Sequence, residues 1–154
     1  MEKTKNYWKQ LKMETIDSYS KEGEKIVHIL GHDDYYVTSH GRVFSSKKTF
    51  THETLNKEMY GCIVWKELKP FYTHRYKTVT LVSEGKRKNI PIHKLVFEGF
   101  QGKYDTSFFK IVFKDKNPEN CRISNLRLEF KNKSKKTLEK YQRQRRLHEV
   151  LFAQ

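Results

Sequence analysis

The sequence has few of the features that build disulfide frameworks, zinc sites or membrane spans. Its 154 residues include two cysteines, Cys62 and Cys121, and neither has another cysteine near it, so neither a disulfide framework nor a zinc knuckle is predicted. We expect two free, half-buried thiols in a reducing compartment. No apolar run approaches the roughly 20 residues that cross a bilayer. The N-terminal segment MEKTKNYWKQ is polar, so no secretory signal is predicted.

Negative charge is scarce relative to positive charge. The chain carries 32 Lys and Arg against 18 Asp and Glu, a net charge of +14. Hydrophobic residues make up only 36% but aromatic residues reach 14%, which indicates a folded protein with a small, aromatic-rich core. The positive excess favours a polyanionic partner, nucleic acid rather than membrane, because only the last segment is typical of a basic amphipathic helix. A high lysine content can also serve solubility alone.

The patterns in the first two thirds of the chain are those of strands. Residues 1–25 are polar and are predicted to be a loosely attached arm with a short helix. Strand-like segments flank a turn at residues 39–42, where Gly41 can supply a positive φ. Residues 47–60 show no clear period and are predicted to be an excursion between strands. Strict alternation then predicts a β-hairpin over residues 76–92, with Val79 and Leu81 facing the core and Thr78 facing outward.

The last third switches to helical spacing and then to a basic tail. A short helix is predicted from His93 to Phe100, a buried strand at residues 108–113, and a further apolar segment at residues 126–128. Ser134 is predicted to cap a helix that runs to about Phe152 and has a small apolar edge. Its dense positive charge fits either a solvated helix or a phosphate-facing one, and we favour the second.

Several segments resemble the HNH homing endonucleases encoded by phages and introns. Tyr35-x-Val37-Thr38-x-x-Gly41-Arg42-Val43, followed by Leu68-Lys69-Pro70, resembles the modular motif at the front of these proteins. The strand at residues 76–82 and Ile92-His93-Lys94-Leu95-Val96 continue the pattern. Residues 112–126 align without a gap to a family turn of the form D-H-x-D-G-N-x-x-N-N-x-x-x-N-L. The resemblance covers residues 26 to about 130.

The resemblance implies an α+β fold in which a small N-terminal β-sheet region precedes a degenerate ββα unit of the HNH (His-Me finger) type and a basic C-terminal helix. The expected regions are an arm (1–25), a β-rich DNA-binding region (26–91), the degenerate ββα unit (92–132) and the basic helix (133–154).

The family's catalytic residues do not transfer to this chain. The metal carboxylate falls on Val112 and the general base on Phe113, while Asn125 matches the asparagine that orients the base. The second metal ligand falls near Ser134. A hard cation needs several oxygen ligands, so no metal and no catalytic residue are expected, and Asn125 is expected to tie the loop to its surroundings.

We therefore expect a DNA-binding protein on a homing-endonuclease scaffold that has lost nuclease catalysis. One alternative is an active nicking endonuclease with an altered site that uses Mg²⁺ or Mn²⁺. Another is a basic nucleic-acid-binding component of a virion, phage or ribonucleoprotein assembly. The expected partner is nucleic acid, double-stranded DNA above all, inside a host cell or a virion and without a membrane. The expected phosphate contacts are Arg42, Lys77, Lys86, Arg87, Lys88, Lys135, Lys136, Lys140, Arg143, Arg145 and Arg146.

Overall fold

The computed structural model describes residues 2–52, 59–131 and 134–152, and its mixture of helices and strands confirms the predicted α+β class. In chain order the elements are α1 (Glu2–Ile16), β1 (Ile26–His28), β2 (Tyr35–Thr38), β3 (Val43–His52), β4 (Met59–Glu67), β5 (Phe71–Thr73), β6 (Tyr76–Ser83), β7 (Lys86–Pro91), α2 (Ile92–Gln101), β8 (Phe109–Phe113), β9 (Leu126–Phe130) and α3 (Lys135–Phe152). None of the helices in the described ranges has the length and apolar character that a membrane span requires.

The strands form three antiparallel groups. The N-terminal sheet has the order β1-β2-β3-β4, the central sheet the order β5-β6-β7, and β8 pairs with β9. The predicted turn between β2 and β3 is confirmed, since Gly41 has a φ of 84° and its N–H donates to the Thr38 carbonyl at 3.0 Å. Glycine also allows a close approach there, because a Cβ on Gly41 would lie 2.9 Å from the Cβ of Cys121. Cys121 is a free, buried thiol, whereas the side chain of Cys62 lies outside the described residues.

The second half of α1 is docked on the sheet, so the prediction of a loosely attached arm is wrong for this part of residues 1–25. Ile16, at the end of α1, is 5% exposed and packs with the buried side chains of Phe44 and Trp65. The Trp65 indole N–H donates to the Thr15 hydroxyl at 2.8 Å. The Lys12 ammonium is held at 3.1 Å from the Asp34 carboxylate. Apolar burial and two polar contacts therefore fix the second half of α1 against the sheet.

The excursion predicted at residues 47–60 is also wrong where the structure describes it. The strands β3 and β4 pair in continuous register from Phe44↔Glu67 to His52↔Met59, and residues 53–58 lie outside the described residues. Backbone hydrogen bonds to a partner strand form this ladder whatever the side-chain period. The absence of apolar alternation therefore concealed a long strand pair.

The main core lies where α2 meets the N-terminal and central sheets. Val79 and Leu81 are 1% and 0% exposed, as predicted, and pack with Val37 of β2 and Val96 of α2. The helix lies close to the N-terminal sheet at Gly99, where an added Cβ would meet a methyl group of Val27 at 2.9 Å. The position of α2 matters for function because its first turn faces the unit formed by β8 and β9.

Candidate functional site

A degenerate ββα unit was predicted for residues 92–132. That range holds α2, β8 and β9, and the helix α3 follows it. The helix α3 is attached to the β8–β9 hairpin through the aromatic side chain of Tyr141. The ring of Tyr141 lies 5.2 Å from Phe109, 5.3 Å from Phe130 and 5.5 Å from Phe108, between ring centroids. Edge-to-face contacts at these distances are favourable, and they add to the apolar area buried. The residues of α3 after Tyr141 are exposed through Leu151.

The loop between β8 and β9 is organised by Asn125, which is 7% exposed. Its amide nitrogen donates to the Asp115 carboxylate and to the Asn120 carbonyl, both at 2.9 Å. Its amide oxygen accepts the Asp115 backbone N–H at 3.1 Å. Hydrogen bonds from Asn120, the Asn117 backbone and Asn125 lower the pKa of Asp115. Asn125 therefore has all its bonds within the loop.

The position that the HNH resemblance assigns to the general base is filled by an aromatic ring. Phe113 lies at the end of β8 and stacks on Tyr76 with an interplanar angle of 15° and 6.1 Å between centroids. His93, in the first turn of α2, contacts the same ring at 5.2 Å. Burial, with a smaller effect of Lys94, lowers the pKa of His93 to about 4. The histidine nearest to this position is thus neutral at physiological pH and half-buried among aromatic rings.

The residues at this position do not fit a divalent metal ion. Val112 and Phe113 have no donor atom, and a hard cation needs several oxygen ligands. The Asp115 carboxylate is already occupied by amide and backbone donors. Within the described ranges, no group of three or more His, Cys, Asp or Glu side chains is arranged to hold a metal.

Arg42 is engaged inside the protein rather than presented to a phosphate. Its guanidinium donates to both carboxylate oxygens of Glu67 at 3.0 and 3.1 Å, to Glu24 at 3.0 Å and to the Tyr19 carbonyl at 3.2 Å. The Glu24 side chain is 0% exposed. The guanidinium also lies over the Phe44 ring, 4.8 Å from its centroid. This geometry assigns Arg42 a structural role, in place of the predicted phosphate contact.

The basic residues at the tip of the β6–β7 hairpin are divided between the two faces of the hairpin. Directly opposed residues in an antiparallel pair lie on the same face. The pairs Leu81↔Lys88 and Ser83↔Lys86 therefore place these two lysines on the face of the buried Leu81, and Arg87 on the other face. All three side chains are exposed. We call Lys86, Arg87 and Lys88 the tip cluster.

Lys77 is separate from the tip cluster. It lies six residues before Ser83 on β6, a distance of about 20 Å along a strand. There it is half-buried and close enough to Cys121 to oppose the rise in that thiol's pKa that burial causes. Thr78, predicted to face outward, is 2% exposed, because Phe71 and Pro91 flank it on the two neighbouring strands.

The predicted helix α3 begins after Ser134, and one side of it carries most of its free cations. Its residues Lys136, Lys140, Arg143 and Arg146 line a shared exposed surface with Leu147 and Val150. At 100° per residue this surface is opposite Tyr141. We call these four cations the helix cluster. Arg145 differs, since it pairs with Glu149 at 3.1 Å, and Lys135 is exposed in the first turn.

The structure contains a third basic region, which the sequence did not predict. Lys25, His40 and Arg122 line one cleft near the C-terminal end of α2. They are far apart along the chain and none belongs to a charge run, so no linear pattern indicates them.

Comparison with known proteins agrees with this geometry. Residues 91–132 match the family model of HNH endonucleases. The structure of the HNH homing endonuclease I-HmuI, described for its DNA binding and cleavage, is similar to this chain with a TM-score of 0.51 and 24% identity. The match covers 79% of this chain and 59% of that one, so this chain spans about three fifths of its length. No significantly similar sequence was found among curated proteins. The resemblance to HNH homing endonucleases is thus confirmed: the chain contains an HNH endonuclease-type segment at residues 91–132, within a fold similar to that of I-HmuI.

Proposed function

We propose that this protein binds DNA through an HNH endonuclease-like scaffold without hydrolysing it. The observation that carries the proposal is the ring of Phe113, which occupies the general-base position and stacks on Tyr76 beside His93. Hydrolysis of a phosphodiester by this class needs a base within hydrogen-bond reach of a water. A phenyl ring has no proton-accepting atom, and Val112 has no ligand atom for a metal.

Neighbouring groups do not replace the missing base. His93 faces the same ring, but its low pKa makes it a weak base. Asn125 is saturated by the loop and has no histidine to orient. These contacts support the inactive scaffold over the alternative of a nicking endonuclease with an altered site.

The distribution of charge supports binding to a polyanion. The tip cluster and the helix cluster contribute seven exposed cations, three and four respectively. A two-stranded ribbon fits the major groove of duplex DNA, so the tip cluster is the element able to reach base edges. The helix cluster lies on an exposed helix held by Tyr141 and is suited to backbone contacts that do not depend on sequence. I-HmuI, with a similar fold, is described as binding and cleaving DNA.

Cleavage is tested by incubating the purified protein with supercoiled plasmid and either Mg²⁺ or Mn²⁺. We expect no nicking with either ion. The variant carrying Val112→Asp and Phe113→His is also expected to be inactive, because Ser134 supplies no second ligand. Reproducible nicking by the wild type, abolished in Asn125→Ala, would show that the protein is an active nicking endonuclease.

Binding is tested by comparing two sets of substitutions across salt concentrations. Changing the four residues of the helix cluster to Gln should weaken binding to all sequences alike, and flatten the slope of log K against log[salt] by up to about 0.9 for each phosphate that is no longer neutralised. Changing the tip cluster to Ala should also erode any preference between sequences. Substitution is better than truncation of α3, because truncation removes Tyr141. If the helix variant loses preference and the tip variant keeps it, α3 is the reading element.

The same protein also tests the third hypothesis, a basic component of a virion or ribonucleoprotein. Competition between a labelled DNA duplex and a structured RNA of equal length measures which polyanion binds. We expect duplex DNA to compete at least as well as RNA. Stronger competition by RNA would favour the assembly role.

A further inference from the structure

A cleft of about 370 Å³ opens where three segments of the chain meet. The first segment is Lys25, just before β1. The second is the turn between β2 and β3, at His40, and the third is the short helical turn before β9, at Ser124. Gln101, at the end of α2, closes one side. None of the lining residues belongs to the tip cluster, to the helix cluster or to the surroundings of Phe113.

Hydrogen bonds that involve the backbone and the Ser39 hydroxyl hold these segments together. The Lys25 N–H donates to the Ser39 hydroxyl at 3.0 Å, and the Ser39 N–H donates to the Lys25 carbonyl at 2.8 Å. The Ile123 N–H then donates to the Ser39 carbonyl at 3.0 Å. The same two loops also approach closely at Gly41, where an added Cβ would lie 2.9 Å from the Cβ of Cys121. The cleft is therefore built by the fold and does not depend on long side chains alone.

The cleft is positively charged, and its two cations are not engaged in ion pairs within the described ranges. Its lining contains Lys25, Arg122 and His40 but no carboxylate. No ion pair within the described ranges includes Lys25 or Arg122, whereas Arg42 is neutralised by two glutamates. The carbonyl end of α2 contributes roughly half a negative charge, which two full positive charges outweigh. Ser124 and Gln101 add hydroxyl and amide donors.

We propose that this cleft binds a phosphate group of the nucleic-acid backbone, an inference that rests on the proposed function for its source of phosphate. Arginine binds phosphate oxygens through a planar fork, and lysine acts as a mobile point charge. The cleft is larger than one phosphate and has space for the adjoining sugar. It lies at one end of α2, and His93 lies at the other end, about 15 Å away for a ten-residue helix. One duplex covers that distance in about four base pairs at 3.4 Å each.

The test compares two variants with the same loss of charge. Lys25→Gln with Arg122→Gln removes the cations of the cleft, and Lys9→Gln with Lys47→Gln removes two exposed cations elsewhere. Because the cleft neutralises one phosphate, we expect the slope of log K against log[salt] for a DNA duplex to flatten by about 0.9 in the cleft variant. In the control variant it should change by less than about a third of that. Equal changes in the two variants would overturn the proposal, because only the overall charge would then matter.

A second measurement separates backbone phosphate from a free anion. The ring signals of His40 are followed by NMR while inorganic phosphate or a short DNA duplex is added. We expect the duplex to shift them at micromolar concentration and inorganic phosphate only above millimolar concentration. Tight binding of inorganic phosphate would overturn the backbone assignment. If the wild type binds no DNA, the proposed function fails. In that case the titration with inorganic phosphate still tests the cleft. A shift of the His40 ring signals supports phosphate binding there, and the absence of a shift refutes it.

Discussion

Replacing Arg42 by alanine is expected to destabilise the fold, not to remove one phosphate contact. The guanidinium is the cationic partner of Glu24, whose side chain is 0% exposed. Without it, a buried carboxylate retains the hydrogen bond from the Lys21 backbone N–H at 2.9 Å. Breaking a buried pair by removing one member typically costs about 3–5 kcal/mol. The second pair, to the half-exposed Glu67, adds at most about 1 kcal/mol.

We therefore expect the free energy of unfolding to fall by about 3–4 kcal/mol in Arg42→Ala, near the lower end because the hydrogen bond from the Lys21 backbone to Glu24 remains. With a urea m-value of about 2 kcal/mol/M, the midpoint should move by about 1.5–2 M. Trp65 is 7% exposed, so its fluorescence reports the transition. Arg87→Ala, which removes an exposed cation of the tip cluster, should stay within about 0.5 kcal/mol of the wild type.

The pH dependence gives an independent check. Burial raises the pKa of Glu24, but hydrogen bonds from Thr38, Lys21 and Arg42 lower it on balance below the ordinary 4.5. A group whose pKa is lowered by folding stabilises the native state above its unfolded pKa, and this contribution is lost as the pH falls through the lowered value. The difference between wild type and Arg42→Ala should thus be largest near neutral pH and shrink below a pH of about 4.5. A cost under about 1 kcal/mol, together with a salt slope flattened by about 0.9, would refute the structural role and restore Arg42 as a phosphate contact.

Two further predictions concern Asn125 and His93, which lie near Phe113. Asn125→Ala removes three hydrogen bonds at about 1 kcal/mol each and should lower the free energy of unfolding by about 3 kcal/mol, whereas the exposed Asn89→Ala should cost under about 1 kcal/mol; similar small losses in both would contradict the role of Asn125 in the loop. Because folding lowers the pKa of His93 to about 4, wild-type stability should fall by up to about 1.4 kcal/mol per pH unit as the pH drops below about 6.5. In His93→Phe this loss should disappear, and an unchanged pH profile measured by urea unfolding would show that His93 is charged in the native state.

The sequence predicted well the parts of the fold that local chemistry determines. The turn at Gly41 needs a positive φ, and alternation placed Val79 and Leu81 in the core. The matched motif located the loop of Asn125. Each of these features depends on a few residues that are neighbours in the sequence, and the structure confirms all three.

Contacts between distant residues were not predictable in the same way. Ile16 ends a polar helix, and only its packing against Phe44 shows that the helix is docked. The strands β3 and β4 are long because their backbones pair, and the side chains of this segment show no alternation that would predict this length. Arg42 resembles a free cation until Glu24 and Glu67, on other segments, are brought to it. Charge counted along the sequence therefore overstates the number of cations available to a partner.

In the proposed function, the position that the HNH resemblance assigns to the general base contributes packing instead of catalysis. A metal site requires a carboxylate and a base to remain polar and solvated at the end of β8, and such groups are commonly kept at a cost in stability. With Val112 and Phe113 in their place, the same position gains aromatic contacts with Tyr76 and His93, and nothing there needs a charged partner. The scaffold around it depends on Asn125 and α2, neither of which requires the metal. The cationic surfaces lie apart from that position, so the proposed binding to a polyanion does not depend on hydrolytic residues there.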